Sequence, residues 1–273
     1  MAPFCLDATE ETVAETKTKD NIFDEFGRNT RLKPALLVIL PLAGAVGSLG
    51  LKFSVAMAAV AGPLTAAGAT FLLAQFARDF GLKQQDYLFK LWGGKPTTAK
   101  LRHRDGRVNT ITLARYHAKA AALLGRSLPT AQEEQADPKA ADAVYEAYGD
   151  LLRELTREKK DYPLVYEELI GYNFRRNLWG MKAIGVVIDA MSITIQIGFA
   201  VQALAGHGER LGTTEMSFLL VNVFLLGCWI LITPDWVRVA ADAYADRLLA
   251  ASEKVQPVAA PTSERIPGRK EEQ

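Results

Sequence analysis

One acidic residue stands inside a long apolar stretch, and two polar residues follow it at helical spacing. Asp189 lies within 183–205, with Ser192 and Gln196 three and seven residues later. Because a helix turns by about 100° per residue, both fall within about 60° of Asp189. A carboxylate facing lipid is costly, so this face is expected to line a pore or a bundle interior. The alternative is a neutral buried acid, hydrogen-bonded to Ser192 or to Asn222.

A second group of candidate residues is basic. It combines a short segment with an Arg pair further along the chain: Arg102, His103, Arg104, Arg107, Arg175 and Arg176. Guanidinium groups form paired, charge-assisted hydrogen bonds with phosphate, which suits an anion or nucleotide site. Lipid headgroups or internal salt bridges account for the same residues more simply, and the anion or nucleotide site stays open as the alternative.

The sequence carries no signature of catalysis. The segment 93–96 resembles a phosphate loop, but Phe89 stands where the first glycine belongs and Pro96 where Ser or Thr belongs. His103 and His117 lack the acidic residues that would complete a zinc site. We therefore predict a protein that is not an enzyme and that uses no cofactor and no metal.

Four apolar stretches must position the polar residues. Each contains at most one charged residue, and they run over 35–51, 53–77, 183–205 and 216–232. Their lengths match the roughly 20 residues that cross a bilayer core of about 30 Å. The net charge of +1 gives no argument for nucleic-acid binding. The sequence predicts an all-α integral membrane protein with two transmembrane hairpins around a helical cytosolic domain.

The distribution of Lys and Arg predicts the orientation of these stretches. Nineteen basic residues lie in 78–182, whereas the two turns predicted to lie outside contain only Lys52 and Arg210. Basic residues collect on the cytoplasmic side, so both termini are expected inside. The predicted divisions are a cytosolic N-terminal segment (1–34), a first hairpin (35–77), the cytosolic domain (78–182), a second hairpin (183–232), an amphipathic helix (233–254) and a disordered tail (255–273).

Small residues recur at four-residue spacing in the second apolar stretch, at Ala58, Gly62 and Ala66. In lipid, small residues in register let helix backbones approach closely, so these three are expected to form a helix-packing surface. Such a surface serves packing within the first hairpin or association with further copies of the chain.

Capping signals divide the cytosolic domain into helices. The helix that begins near Pro163 is expected to run directly into the third apolar stretch. Three further helices are expected: from Asn109 to Leu124, where Gly125 ends the helix, from Asp137-Pro138 to about Lys159, and from Pro234 to Lys254. Thr130 opens a capping box between the first two.

The layout of two hairpins around a cytosolic helical insert, with no enzyme motif, resembles the four-span membrane effectors of bacterial antiphage systems. The resemblance rests on the arrangement of the whole chain. It implies a homo-oligomeric inner-membrane protein, in contact with lipid, that permeabilises the membrane when a cytosolic protein or a nucleotide signal engages the segment 102–107. The alternative is a non-enzymatic membrane scaffold that recruits a cytosolic partner.

Overall fold

Helices make up most of residues 24–48, 55–207 and 212–256, which the computed structural model describes. This part of the chain contains no strand, so the predicted all-α fold is confirmed there. An α-helical turn (Glu25–Gly27) and a π-helical turn (Arg28–Leu32) lead into α1 (Lys33–Ser48), which is followed by α2 (Val55–Leu91), α3 (Pro96–Leu101), α4 (Thr110–Leu124), α5 (Ala131–Ala136), α6 (Pro138–Leu155), α7 (Pro163–Gly180), α8 (Lys182–His207), α9 (Thr213–Leu231) and α10 (Pro234–Ala251).

The predicted capping residues occupy the helix ends. The Asn109 side chain accepts a hydrogen bond from the backbone N–H of Thr112 at 2.9 Å, and α4 ends at Gly125 with φ of 65°. Only glycine adopts that left-handed conformation without strain. Thr130 and Glu133 form the expected capping box of α5. Local sequence therefore determines where these helices begin and end.

Three helix boundaries differ from the prediction, including the end of α10, which lies at Ala251 rather than at Lys254. Helix α6 ends at Leu155 rather than near Lys159, because the Thr156 hydroxyl donates to the Leu152 carbonyl at 2.8 Å and closes the last turn. Helix α7 begins at Pro163 as expected, but a turn at Met181 separates it from α8. The Met181 N–H is shared between the carbonyls of Asn177 and Leu178, at 3.1 and 3.2 Å, which tightens the chain at that point.

The first of two compact units comprises the described parts of Met1–Trp92 and Glu167–Ala241. In it α8 packs against α1 and α9, and these two helices also pack against each other. The first unit also contains an apolar cluster. Its buried members are Val38, Ala77, Leu178, Met181 and Trp229.

The second unit comprises the described parts of Gly93–Tyr166 and Asp242–Gln273. Helix α6 forms its centre and buries Tyr145, Tyr148 and Leu152 completely. These residues are three and seven positions apart, so they form one face of the helix. The end of α10 contributes Leu248 and Leu249 to the same core. This unit therefore has a core of its own, which is the property that defines a domain.

Among the described residues, one helix is long and apolar enough to cross a bilayer, over Lys182–Ala205. A second candidate is the pair Glu215–Leu231 and Pro234–Ala251, which are bent by 63° relative to each other. Length and composition support membrane association to this extent, and the four-span arrangement stays a prediction. The predicted first turn, most of the N-terminal segment and the predicted tail lie outside the described residues.

Candidate functional site

The predicted polar face of α8 is buried. Asp189 and Ser192 are completely inaccessible to solvent, and Gln196 is 5% exposed. The helix rises by about 1.5 Å per residue, so the three groups extend over about 10 Å along its axis. Asn222 of α9 is also buried in the same unit. The sequence-predicted residues therefore lie together inside the bundle of α1, α8 and α9.

Asp189 has no hydrogen-bond partner among the described residues. Both of its carboxyl oxygens are buried and unpaired, and so are both polar atoms of the Gln196 amide. The hydroxyl of Ser192 donates to the Ile188 carbonyl at 2.9 Å, and the Asn222 amide donates to the Pro41 carbonyl at 3.2 Å. Neither of the partners that the sequence suggested for Asp189 contacts its carboxyl group by a hydrogen bond.

The polarity of the bundle is reversed relative to a soluble protein. Helix α8 buries Asp189, Ser192 and Gln196 while exposing large apolar side chains. Helix α9 buries Asn222 and exposes apolar residues in the same way. Exposed side chains of the two helices include Val187, Met191, Ile197, Phe199, Val201, Leu220, Val223, Phe224 and Ile230. An apolar exterior around polar groups is typical of helices that face lipid.

Close contacts fix the ends of α8 and α9. A Cβ atom at Gly185 would collide with the Trp229 indole ring, so glycine is needed for the two helices to approach. The Lys182 ammonium donates to the Ile232 carbonyl at 2.8 Å, just beyond the end of α9. This ammonium thus satisfies a carbonyl that has no partner within its own helix.

The basic segment forms an internal ion-pair network in the second unit. Arg102 is 8% exposed and makes a two-pronged contact with Asp142, both hydrogen bonds being 2.8 Å long. It also donates to the Gly93 carbonyl and to Asp105. Burial lowers the pKa of the Arg102 guanidinium, but the hydrogen bonds to these two acids outweigh that effect and raise it. The salt-bridge interpretation of Arg102 is therefore favoured over the anion-binding one.

Glu134 organises the same network. It is 1% exposed, and its carboxylate accepts hydrogen bonds from the backbone N–H groups of His103 and Arg104 and from the Tyr145 hydroxyl. The Arg104 guanidinium contacts both Glu134 and Asp142. Sequence analysis missed Glu134 and Asp142, because only the folded chain shows which acids face a basic segment.

The remaining predicted basic residues occupy different positions. Arg107 lies 3.9 Å from Asp242, at the limit of an ion pair.

His103 and His117 lie edge to face, with ring centroids 4.7 Å apart. Burial lowers the pKa of His117, and the neighbouring His103 lowers it further, whereas the Leu101 carbonyl opposes both effects. A neutral His117 hydrogen-bonded to that carbonyl is therefore favoured near neutral pH.

The arginine pair of α7 lies in the first unit. Arg175 donates to the Trp236 carbonyl at 2.9 Å and stacks on its ring. Arg176 is buried, donates to the neutral side-chain oxygens of Gln85 and Asn177, and lies over the Tyr172 ring, 5.5 Å from its centroid. Burial lowers the pKa of Arg176 and outweighs the opposing effect of Tyr172, and the charges of two nearby arginines lower it further. The described structure places no carboxylate at this guanidinium.

The comparisons with known proteins yield no relative. No family model, curated protein or solved structure matches this chain. The functional argument therefore depends on the sequence and on the geometry of the site.

The predicted helix-packing residues Ala58, Gly62 and Ala66 belong to α2, where their side chains lie outside the described part of the structure. A different pair of glycines makes a close contact in the first unit. A Cβ atom at Gly180 would lie 2.7 Å from the backbone nitrogen of Gly81. Sequence analysis missed this crossing, although an isolated glycine inside a helical pattern is a signal for such a contact.

The segment 93–96, which resembles a phosphate loop, has a structural role. Lys95 of the loop resembling a phosphate loop is 2.8 Å from Glu146, and Pro96 begins α3. Within residues 24–48, 55–207 and 212–256, no three His, Cys, Asp or Glu side chains form a group that could hold a metal ion. The buried polar face of α8 is thus the best-supported candidate site.

Proposed function

We propose that the chain is a multi-pass membrane protein that oligomerises and forms or gates a permeation pathway lined by the Asp189 face. Both termini and the helical domain lie in the cytoplasm of a bacterial cell, and the four apolar stretches cross the inner membrane. The helical domain acts as a sensor for a cytosolic protein or a nucleotide. The protein carries out no enzymatic reaction.

The reversed polarity of α8 is the observation that supports this proposal. In water, folding would turn the apolar side chains of α8 inward and Asp189 outward, because burying apolar surface is favourable and burying an unpaired acid is costly. The bundle has the opposite arrangement. Lipid around the bundle makes this arrangement favourable, since the apolar side chains then face hydrocarbon and the polar groups lie inside the bundle.

The distribution of charge supports the proposed sensor. Basic residues in 78–182 agree with a cytoplasmic location. Permeabilisation on receipt of a signal is the activity that the resemblance to antiphage effectors implies. We extend that activity to this chain as part of the same proposal, with other copies of the chain and membrane lipids as its partners.

The test is the membrane potential of cells that overproduce the protein, followed with a voltage-sensitive dye. The wild-type protein is expected to depolarise the cells, and Asp189→Asn is expected to remove most of the effect because it replaces the ionisable group of the polar face. Thr194→Val is the matched control. Thr194 lies on the same helix, is exposed, and donates to the Ala190 carbonyl.

Three outcomes decide the proposal. Depolarisation by the wild type and Thr194→Val, but not by Asp189→Asn, supports it. Cells that keep their potential with every one of these proteins contradict it. Equal depolarisation by all three, at equal amounts in the membrane fraction, contradicts the role given to Asp189.

A membrane scaffold is the second candidate, and a groove in the second unit favours it. The groove has a volume of about 370 Å³. Its lining combines apolar residues with charged residues of both signs, and includes Leu128, Pro129, Val144, Glu133, Asp137 and Arg126. A scaffold predicts that a soluble protein co-purifies with the detergent-extracted chain and that Asp189→Leu is tolerated. Loss of the co-purifying protein on Val144→Asp would distinguish this function from permeation.

A further inference from the structure

The Asp189 carboxyl lies in an environment that does not stabilise its ionised form. An ionised carboxylate needs hydrogen-bond donors or a nearby cation when it is removed from water. Asp189 is fully buried, and neither of its oxygens accepts a hydrogen bond from the described residues. The Trp229 indole lies beside the carboxyl group, but no hydrogen bond of acceptable geometry joins them.

Among the described residues, the helices packed around Asp189 bring no compensating charge. The buried residues of α1 include Pro34, Ala35, Val38, Pro41 and Ala45, and α9 contributes Asn222, Trp229 and the half-buried Cys228 thiol. On α8 itself, Lys182 lies seven residues away, about 10 Å along the axis, and its ammonium is bonded to the Ile232 carbonyl. A neutral, protonated acid is the form that this environment favours.

The same surroundings disfavour a metal ion as the occupant of this site. Hard divalent cations take about six oxygen ligands or more. Among the described residues, Asp189 belongs to no group of three acidic, His or Cys side chains. The Ser192 hydroxyl and the Asn222 amide donate to backbone carbonyls, and neither forms a hydrogen bond with Asp189. A proton needs one acceptor at a time, so it is the cation that fits the geometry.

Ser192 and Gln196 follow Asp189 along the same face of α8. Ser192 lies almost one turn further along α8, and Gln196 lies about two turns further, with both of its amide atoms unpaired. A hydroxyl both donates and accepts a hydrogen bond, so Ser192 can pass a proton from one neighbour to the next. The Gln196 oxygen accepts a hydrogen bond and the nitrogen donates one, which suits the end of a short relay completed by water.

We propose that the ion carried through the bundle is the proton, that Asp189 binds and releases it, and that Ser192 and Gln196 relay it along the face. This inference rests on the proposed permeation function and specifies its ion. In each cycle the Asp189 O–H bond breaks, its electron pair stays on the carboxylate, and the proton passes to the next acceptor. A proton arriving from the opposite side forms the bond again, so one charge is transferred and the acid is restored.

Proton flux into sealed vesicles tests the proposal. The full chain is reconstituted in phosphatidylethanolamine and phosphatidylglycerol, with a trapped pH-sensitive dye and a potassium-diffusion potential imposed by valinomycin. Wild type and Thr194→Val are expected to acidify the interior. Asp189→Asn should slow acidification by about tenfold or more, because the amide cannot release a proton in this way. Asp189→Glu should restore most of the flux.

The outcomes distinguish failure of the proton proposal from failure of the proposed permeation function. Vesicles that conduct sodium or potassium, with Asp189→Asn as active as wild type, overturn the proton proposal and leave permeation standing. Vesicles that stay sealed to all ions overturn both. Labelling of the wild-type protein by dicyclohexylcarbodiimide gives a result that needs no variant, since the reagent attacks protonated carboxyl groups in apolar surroundings. Modification of Asp189 at neutral pH is expected, and an unmodified Asp189 contradicts the proposal.

Discussion

Replacing Glu134 by alanine is expected to lower the free energy of unfolding of the second unit by about 3–5 kcal/mol. The substitution leaves several donors without their acceptor: the N–H groups of His103 and Arg104, and the Tyr145 hydroxyl. It also leaves the Arg104 guanidinium with Asp142 as its remaining acidic partner. Hydrogen exchange of α4 to α6, in detergent-solubilised full-length protein, measures the loss.

Glu146→Ala is the control for this prediction. Glu146 forms a partly exposed salt bridge with Lys95, so its removal should cost about 1 kcal/mol or less. Equal and small losses in the two variants would contradict the role given to Glu134. A large loss at Glu134 alone would support it.

The same carboxylate predicts how the stability of this unit depends on pH. Burial would raise the pKa of Glu134, but hydrogen bonds from His103, Arg104 and Tyr145 outweigh burial and hold it below the ordinary value of 4.5. A lowered pKa adds stability above the ordinary value, and this stability is lost as the pH falls through the folded-state pKa. Wild type should therefore lose stability in acid below about pH 4.5, and Glu134→Ala should lose less over the same range.

Replacing Gly180 by alanine is expected to destabilise the first unit by about 1–3 kcal/mol. The added Cβ atom would lie between 2.7 and 2.9 Å from backbone atoms of Phe80 and Gly81. Backbone cannot move aside as a flexible side chain can, so the helices must separate. The midpoint of thermal unfolding in detergent measures the effect.

Gly171→Ala provides the matched control on the same helix. Outside the adjacent part of its own helix, no atom of the described residues lies within 4 Å of a Cβ built at Gly171, and alanine favours helix by about 1 kcal/mol over glycine. This variant should unfold at the wild-type temperature or slightly above it. If Gly180→Ala behaved in the same way, the close crossing of α2 and the end of α7 would be refuted.

Features that depend on neighbouring residues in the chain could be predicted from the sequence. Asn109, Thr130 and Asp137 cap helices because their side chains reach backbone N–H groups three residues later. The shared face of Asp189, Ser192 and Gln196 follows from helical periodicity alone, and its burial follows from the cost of placing an acid in lipid.

Features that depend on distant residues could not be predicted. Arg102 was one of several candidate anion ligands, and only its approach to Asp142, forty positions away, shows that its charge is already paired. The contact between Gly81 and Gly180 likewise joins parts of the chain that no local pattern connects. Sequence spacing made Ser192 and Asn222 suitable partners for Asp189. Only their positions in the fold show that both donate to backbone carbonyls instead.

The arrangement in the bilayer is the central claim, and mapping with single cysteines tests it most directly. Cys5 and Cys228 are replaced by serine, and one cysteine is introduced at Lys160 or at Arg210. A membrane-impermeant maleimide should label position 210 in intact spheroplasts and position 160 only after the membrane is opened. Labelling of position 160 from outside, or recovery of the chain in the soluble fraction without detergent, would contradict the account.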